Sequence, residues 1–110
     1  MSYQITDAGE FSVVALTGEV DLSCSAQARQ TILSCLEANK GVLVDLSSVS
    51  YIDSSGVASL VEGFQVAKKQ GLEFGLVGVS DSALSVLRLA RLDKVFDIHA
   101  SVEERLAGSG

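Results

Sequence analysis

The sequence predicts an α/β fold: a mixed β-sheet that opens with an antiparallel hairpin and is packed by about four helices. Three observations carry this. Apolar residues recur at helical spacing in long segments such as 57–67. Short runs rich in β-branched and aromatic residues separate those segments. Glycine and small polar clusters fall between them, in a chain that contains no proline.

Tyr3 to Thr6 reads as a short strand, and "DAGE" as a turn into "FSVVALTGEV", residues 11–20. Together they make the hairpin. Ser23 or Ser25 is placed to cap the next helix, which carries Ala28, Ile32, Cys35 and Leu36 on one face and ends near Asn39-Lys40-Gly41. "VLVDLS", residues 42–47, follows as a strand buried on both faces. After "IDSSG", the residues Val57, Leu60, Val61, Phe64 and Ala67 keep helical spacing until Lys68-Lys69-Gln70-Gly71. "LEFGLVGV", residues 72–79, is the next strand. Asp81 then caps a helix through about Leu92, with Arg88 and Arg91 suited to its C-terminal dipole. "KVFDI" reads as a last strand and "SVEERLA" as a short final helix. Strands alternating with helices imply right-handed crossovers in a largely parallel sheet.

Length and composition bound the function. At 110 residues the chain makes a single domain spanning 1–110, with the last few residues expected as a flexible tail. Apolar residues are 47% and charged residues 20%, an ordinary globular balance. The net charge of -6 repels a phosphate backbone, so nucleic acid is not expected as a partner. The start, Met1-Ser2-Tyr3-Gln4, has no basic region of a signal peptide, and the longest strongly apolar run, residues 13–16, cannot span a membrane. No direct membrane insertion is expected. Cys24 and Cys35 fall on one face of the first helix, about 16 Å apart along its axis, too far for a disulfide. Two free thiols suit a reducing, cytoplasmic compartment and a place in the core.

Little here suits catalysis. His99 is the only histidine, and no Gly-x-Ser-x-Gly elbow surrounds any serine. Gly71, Gly75 and Gly78 match no phosphate-binding loop and read as strand punctuation. Glu19, Asp21, Asp45 and Asp53 gather near strand ends and the loops that follow. They could hold a cation, but solvated or capping carboxylates are the commoner case. Neither a metal nor another cofactor is expected.

"IDSSGVASLVEGF", residues 52–64, is the most informative stretch. Ser54 or Ser55 can cap the helix, with Asp53 adding a favourable charge. One small polar residue suffices for a cap, and here four follow a buried strand. Gly56 lets another backbone approach closely. A phosphate at this helix start would meet free N–H groups. From the residues alone, capping only and a modifiable serine remain equally served.

The wider pattern narrows the choice. "LTGEVD" (16–21), "VLVDLSSVSYIDSSGVASLV" (42–61) and "LVGVSDSALSVLRLARLDKVFDI" (76–98) together resemble the STAS domain family, most of all the bacterial anti-sigma factor antagonists. The resemblance implies a STAS-like fold and a non-enzymatic switch. It implies that Ser54 is phosphorylated by a serine kinase that is also the anti-sigma factor, and reset by a phosphatase. The unphosphorylated protein would bind that kinase and the phosphorylated one release it. Asp21, Asp53, Ser55 and Gly56 would form the surroundings of the phosphosite and the partner surface. Many members carry a glycine near the end of the third helix, where this chain has Arg91, so the cap there is expected to close differently, through Asp93 or Lys94. STAS domains also serve as small subunits of ATP-driven lipid transporters at the bacterial inner membrane and as regulators in pathways not tied to sigma factors.

Overall fold

The computed structural model describes residues 3–107. Gly9 and Glu10 join β1 (Gln4–Ala8) to β2 (Phe11–Val20) as an antiparallel hairpin with Ala8 opposite Phe11. Then follow α1 (Ser25–Glu37), β3 (Gly41–Ile52), α2 (Ser54–Gln70), β4 (Phe74–Val77), α3 (Asp81–Leu89), β5 (Asp97–His99) and α4 (Val102–Ala107). The strands lie in the order β1-β2-β3-β4-β5, and every pair after the hairpin is parallel. The mixed sheet, its hairpin and the four helices are those the sequence predicts.

One sheet face presents Val14, Leu16, Val42, Val44, Leu46 and Leu76, all buried against α1, α2 and α3. Burying such side chains is the main favourable term in folding. The other face carries a smaller cluster of Phe11, Val13, Leu43 and Val77, over which Val102 of α4 packs. Arg105 holds α4 there. It pairs with Glu73 and lies over the Phe11 ring, 5.0 Å from its centroid.

Several boundaries differ from expectation. β3 runs to Ile52 rather than ending at Ser47, because β2 pairs with it up to Val20 opposite Ile52. Two irregularities in that pairing leave extra residues on β3, which breaks the period-two pattern of a strand. Conversely, β4 and β5 are shorter than expected: Lys94 and Val95 lie in a turn and Phe96 in a bend before β5. Cys24 does not share the core face with Cys35. Cys35 is buried, whereas Cys24 stands at the N-cap of α1 with its thiol donating to the Glu19 carbonyl at 3.0 Å. Neither Ser23 nor Ser25 caps α1 through its side chain. Ser80, not Asp81, caps α3, accepting the Ala83 N–H at 3.2 Å and donating to the Val49 carbonyl at 2.7 Å. Residues 108–110 of the expected tail lie outside the described residues.

The helix ends show how the chain turns back into the sheet. α2 closes at Gly71, in the left-handed conformation (φ 71°), with the Leu72 N–H reaching the Ala67 carbonyl at 2.8 Å. α1 is followed by Asn39 at φ 62°. α3 closes in the same way as α2: the Leu92 N–H reaches the Leu87 carbonyl at 2.8 Å, and Arg91 takes φ 59°. The different closure expected through Asp93 or Lys94 is therefore not needed. Arg91 adopts the conformation a glycine would adopt more easily, at a cost of about 1–2 kcal/mol for its Cβ. Replacing Arg91 by Gly should raise the unfolding free energy by roughly 1 kcal/mol, measured by urea denaturation. An unchanged or lower midpoint would show that the arginine side chain compensates the strain.

Candidate functional site

The candidate site lies where β2 and β3 end side by side. Val20 and Ile52 are register partners, and an acid follows each: Asp21 and Asp53. The Asp53 N–H donates to the Val20 carbonyl at 3.2 Å, which ties the two loops together.

Asp53 is the N-cap of α2, so neither serine caps the helix with its side chain. Its Oδ1 accepts the Ser55 N–H at 2.9 Å, the Ser55 hydroxyl at 2.6 Å and the Gly56 N–H at 3.0 Å. These donors hold its carboxyl below the usual carboxylate range, the Ser55 hydroxyl foremost and the Gly56 N–H next. Two of the N–H groups expected to be free for a phosphate are thus already taken. Ser54 is the first residue of α2, exposed, with its hydroxyl bonded to no other described residue. Ser54 is thus exposed, whereas Ser55 is partly buried and turned to Asp53.

Asp21 repeats the device. Its Oδ1 accepts the Ser23 N–H at 3.0 Å and the Ser23 hydroxyl at 2.6 Å. Those bonds, the hydroxyl first, lower its pKa, while the neighbouring Asp53 charge opposes them. Leu22, directly after Asp21, is 79% exposed, and its N–H faces the Asp53 carboxylate. Tyr51 is exposed as well, one residue before Ile52. Beside this end lies an open depression of about 530 Å³, lined by Tyr3, Gly18, Glu19, Asp21, Ser23 and Cys24. Burial and the Cys24 thiol push the Tyr3 phenol up.

The STAS domain family's profile matches residues 2–105. The chain belongs to the STAS domain family. It is similar to the anti-sigma-B factor antagonist of Bacillus subtilis, at 29% identity over 90 residues, 82% of this chain and 83% of that one. It is also similar to MlaB, the binding protein of the intermembrane phospholipid transport system of Escherichia coli, at 38% identity over 85 residues, 72% of this chain and 79% of that one. Its fold matches the structure of the Bacillus cell fate determinant SpoIIAA in the phosphorylated form. The TM-score is 0.77 and the identity 20%, over 99% of this chain and 100% of that one.

On this STAS domain the carboxylates do not form one group. Among the described residues, no three His, Cys, Asp or Glu side chains are arranged to hold a metal ion. Glu19 and Asp45 lie within strands. Asp45, whose carboxylate accepts the Ser47 N–H at 2.9 Å, sits seven residues before Ile52 on β3. Only Asp21 and Asp53 come together. His99 stands opposite Val77, which pairs with Asp45. That register leaves it roughly 20 Å short of Ser54 along the strands, and no serine–histidine pair forms there.

Gly56 is the main correction. It was expected at a partner surface, but it is buried and packs inward. A Cβ there would stand 2.6 Å from Ile52 Cγ1 and 2.7 Å from the Val20 carbonyl oxygen. The glycine lets the first turn of α2 sit on the ends of β2 and β3. Its role is packing, which composition alone could not distinguish from exposure. Sequence reasoning also passed over Ser59, which is buried in α2. Its hydroxyl lies 3.0 Å from the Ser25 carbonyl and 3.1 Å from the Ser55 carbonyl, joining the starts of α1 and α2.

Two outcomes follow from this geometry. Gly56→Ala should destabilise the domain by about 1–3 kcal/mol, the range for overpacking, read from denaturation midpoints. A neutral substitution would mean that Val20 and Ile52 yield easily. The second concerns acid. Because the pKa of Asp53 is lowered on folding, its contribution to stability is present above its ordinary value of 3.8 and is lost as the pH falls through the lower folded value. The protection factors of the Ser55 and Gly56 amides, taken relative to the intrinsic exchange rate at each pH, should therefore hold down to about that ordinary pH and fall only below it, and Asp53→Ala should abolish this protection at every pH.

Proposed function

We propose that this STAS domain is a protein-binding switch set by phosphorylation of Ser54, acting as an anti-sigma factor antagonist. It binds an anti-sigma factor that is also a serine kinase when Ser54 is free, and releases it when Ser54 carries phosphate. A phosphatase resets it. The chain is in this reading the substrate of a kinase and not itself an enzyme, and it works as one domain in the cytoplasm. The observation that carries the reading is the division of labour at the start of α2: Asp53 caps the helix and Ser54 is left exposed. Support comes from the similarity to the anti-sigma-B factor antagonist.

The mechanism is electrostatic. Phosphorylation adds roughly -1.5 to -2 charges at neutral pH. The helix N-terminus favours that charge, but Asp53 already occupies two of its N–H groups, and Asp53 and Asp21 repel it. The charge therefore projects outward. A partner surface fitted to a neutral hydroxyl would have to bury a dianion, which costs several kcal/mol without a new cation. A loss of about 2.7 kcal/mol already weakens binding a hundredfold.

Ser54→Asp should keep the circular dichroism spectrum and lose partner binding by about a hundredfold or more. Ser54→Ala should bind and become insensitive to ATP. Incubation with the anti-sigma factor kinase of the same organism and ATP should add one phosphate, located at Ser54 by tandem mass spectrometry. Phosphate only at Ser55, or a Ser54→Asp variant that binds like wild type, would overturn the assignment.

A second reading is favoured by one observation, the 38% identity to MlaB. There the domain would be a STAS subunit of an ATP-driven lipid transporter. Purification from native membranes separates the two: co-elution with an ATPase and a permease supports the transporter, and capture of the kinase supports the switch.

A further inference from the structure

At the opposite end of α3 from its Ser80 cap, the chain exposes a strip that neither reading uses. Arg88, Leu89, Arg91, Lys94 and Val95 all face solvent there. Leu89 is 87% exposed, the most exposed large hydrophobic side chain among the described residues. It follows the fully buried Leu87 by two residues, about 200° around the helix, and so points away from the core. Among the described residues, Arg88, Arg91 and Lys94 form no ion pair, whereas Arg29, Lys40 and Arg105 each do. Asp93, partly buried, is the one acid between them. Three unpaired cations within seven residues are notable in a chain of net charge -6 with only eight Lys and Arg.

Arg91 sharpens the point. The equivalent closure of α2 uses glycine, and the turn after α1 uses asparagine, the other residue that tolerates a left-handed backbone. α3 uses arginine at φ 59°. A basic residue at a helix C-terminus suits the dipole, but Arg88 already supplies that. Neither the strained arginine nor the outward leucine serves the fold. Strain of this kind gathers where a side chain is needed for contact.

We propose that Arg88, Leu89, Arg91, Lys94 and Val95 form a second docking surface, for an acidic protein segment that carries an apolar side chain among its carboxylates. Guanidinium groups pair with carboxylates in a forked, directional way, and Leu89 supplies exposed apolar area that docking would remove from water. A short peptide segment reaches the strip without setting a charged plane against the whole acidic chain. An anionic bilayer would meet that net charge within a Debye length. The surface is separate from Ser54: Ser80 anchors the N-terminal end of α3 to β3, and the strip lies at the other end of the helix, by the turn into β5. Binding here persists whatever the phosphorylation state and does not rest on the switch reading.

The test is an NMR titration of the ¹⁵N-labelled chain with a synthetic peptide of repeating Glu-Glu-Leu. The amides of residues 88–95 should shift. Arg91→Gly and Leu89→Ser should each weaken the peptide at least tenfold, as should raising the salt several-fold, and Ser54→Asp should leave it unchanged. Arg91→Gly is expected to fold more stably than wild type, so its loss of binding cannot be ascribed to unfolding. Shifts centred on Lys68 and Lys69, or an affinity indifferent to Arg91→Gly, would overturn the proposal. So would preferential binding of phosphatidylglycerol vesicles at the same residues, or shifts that follow the protein's own concentration without peptide, which would assign the strip to a membrane or to a second copy.

Discussion

A single carboxylate oxygen organises the end of this domain where β3 passes into α2. Asp53 Oδ1 receives the Ser55 N–H, the Ser55 hydroxyl and the Gly56 N–H. This is possible because β3 runs to Ile52, so that Asp53 is the first residue free of the sheet. That length depends in turn on the pairing with β2, whose last residue accepts the Asp53 N–H. The cap closes the first turn of α2 tightly enough that residue 56 meets Val20 and Ile52 with no room for a Cβ. The sheet ending, the helix start and the packed glycine are one constraint seen from three sides.

The same constraint explains which side chains face outward. In both loops the acid draws in the residue two positions on: Ser23 for Asp21, Ser55 for Asp53. The residue in between is turned away. After Asp21 that residue is Leu22, and after Asp53 it is Ser54, both exposed. Two adjacent turns of the same design thus present an apolar side chain and a hydroxyl from neighbouring strand ends. On the proposed switch, a partner docking at this end of the sheet would touch both, burying the leucine and meeting the serine at which charge would be added.

Much of this was legible in the residues, and the exceptions have definite causes. The alternation of strands and helices, the hairpin and the apolar faces of α1 and α2 follow from periodicity, because burial enforces it. The end of β3 did not, since extra residues in the pairing with β2 break the two-residue pattern that marks a strand. Losing that boundary hid the cap: in Asp-Ser-Ser all three residues cap well, and only the strand's true end selects Asp53. Gly56 was misplaced for the same reason, because a glycine that admits a neighbour and one that faces a partner look alike until the helix is set on the sheet. Arg91 was read as a departure in the chain's closure, yet the backbone keeps the closure and bears the strain.

The placement of charge separates what a phosphate would do to the fold from what it would do to an interface. The main core lies between the sheet and α1, α2 and α3, and Ser54 is exposed beyond the end of β3. A dianion on Ser54 would therefore desolvate nothing and leave the buried apolar contacts intact. It would stand beside two carboxylates whose pKa values are lowered by their own turns and which stay ionised at any physiological pH. Helix N–H groups that could have absorbed the new charge are already bonded to Asp53. Water can screen such a concentration of negative charge while the site is open. A docked partner removes that water, and the repulsion then falls on the interface rather than on the domain that carries it.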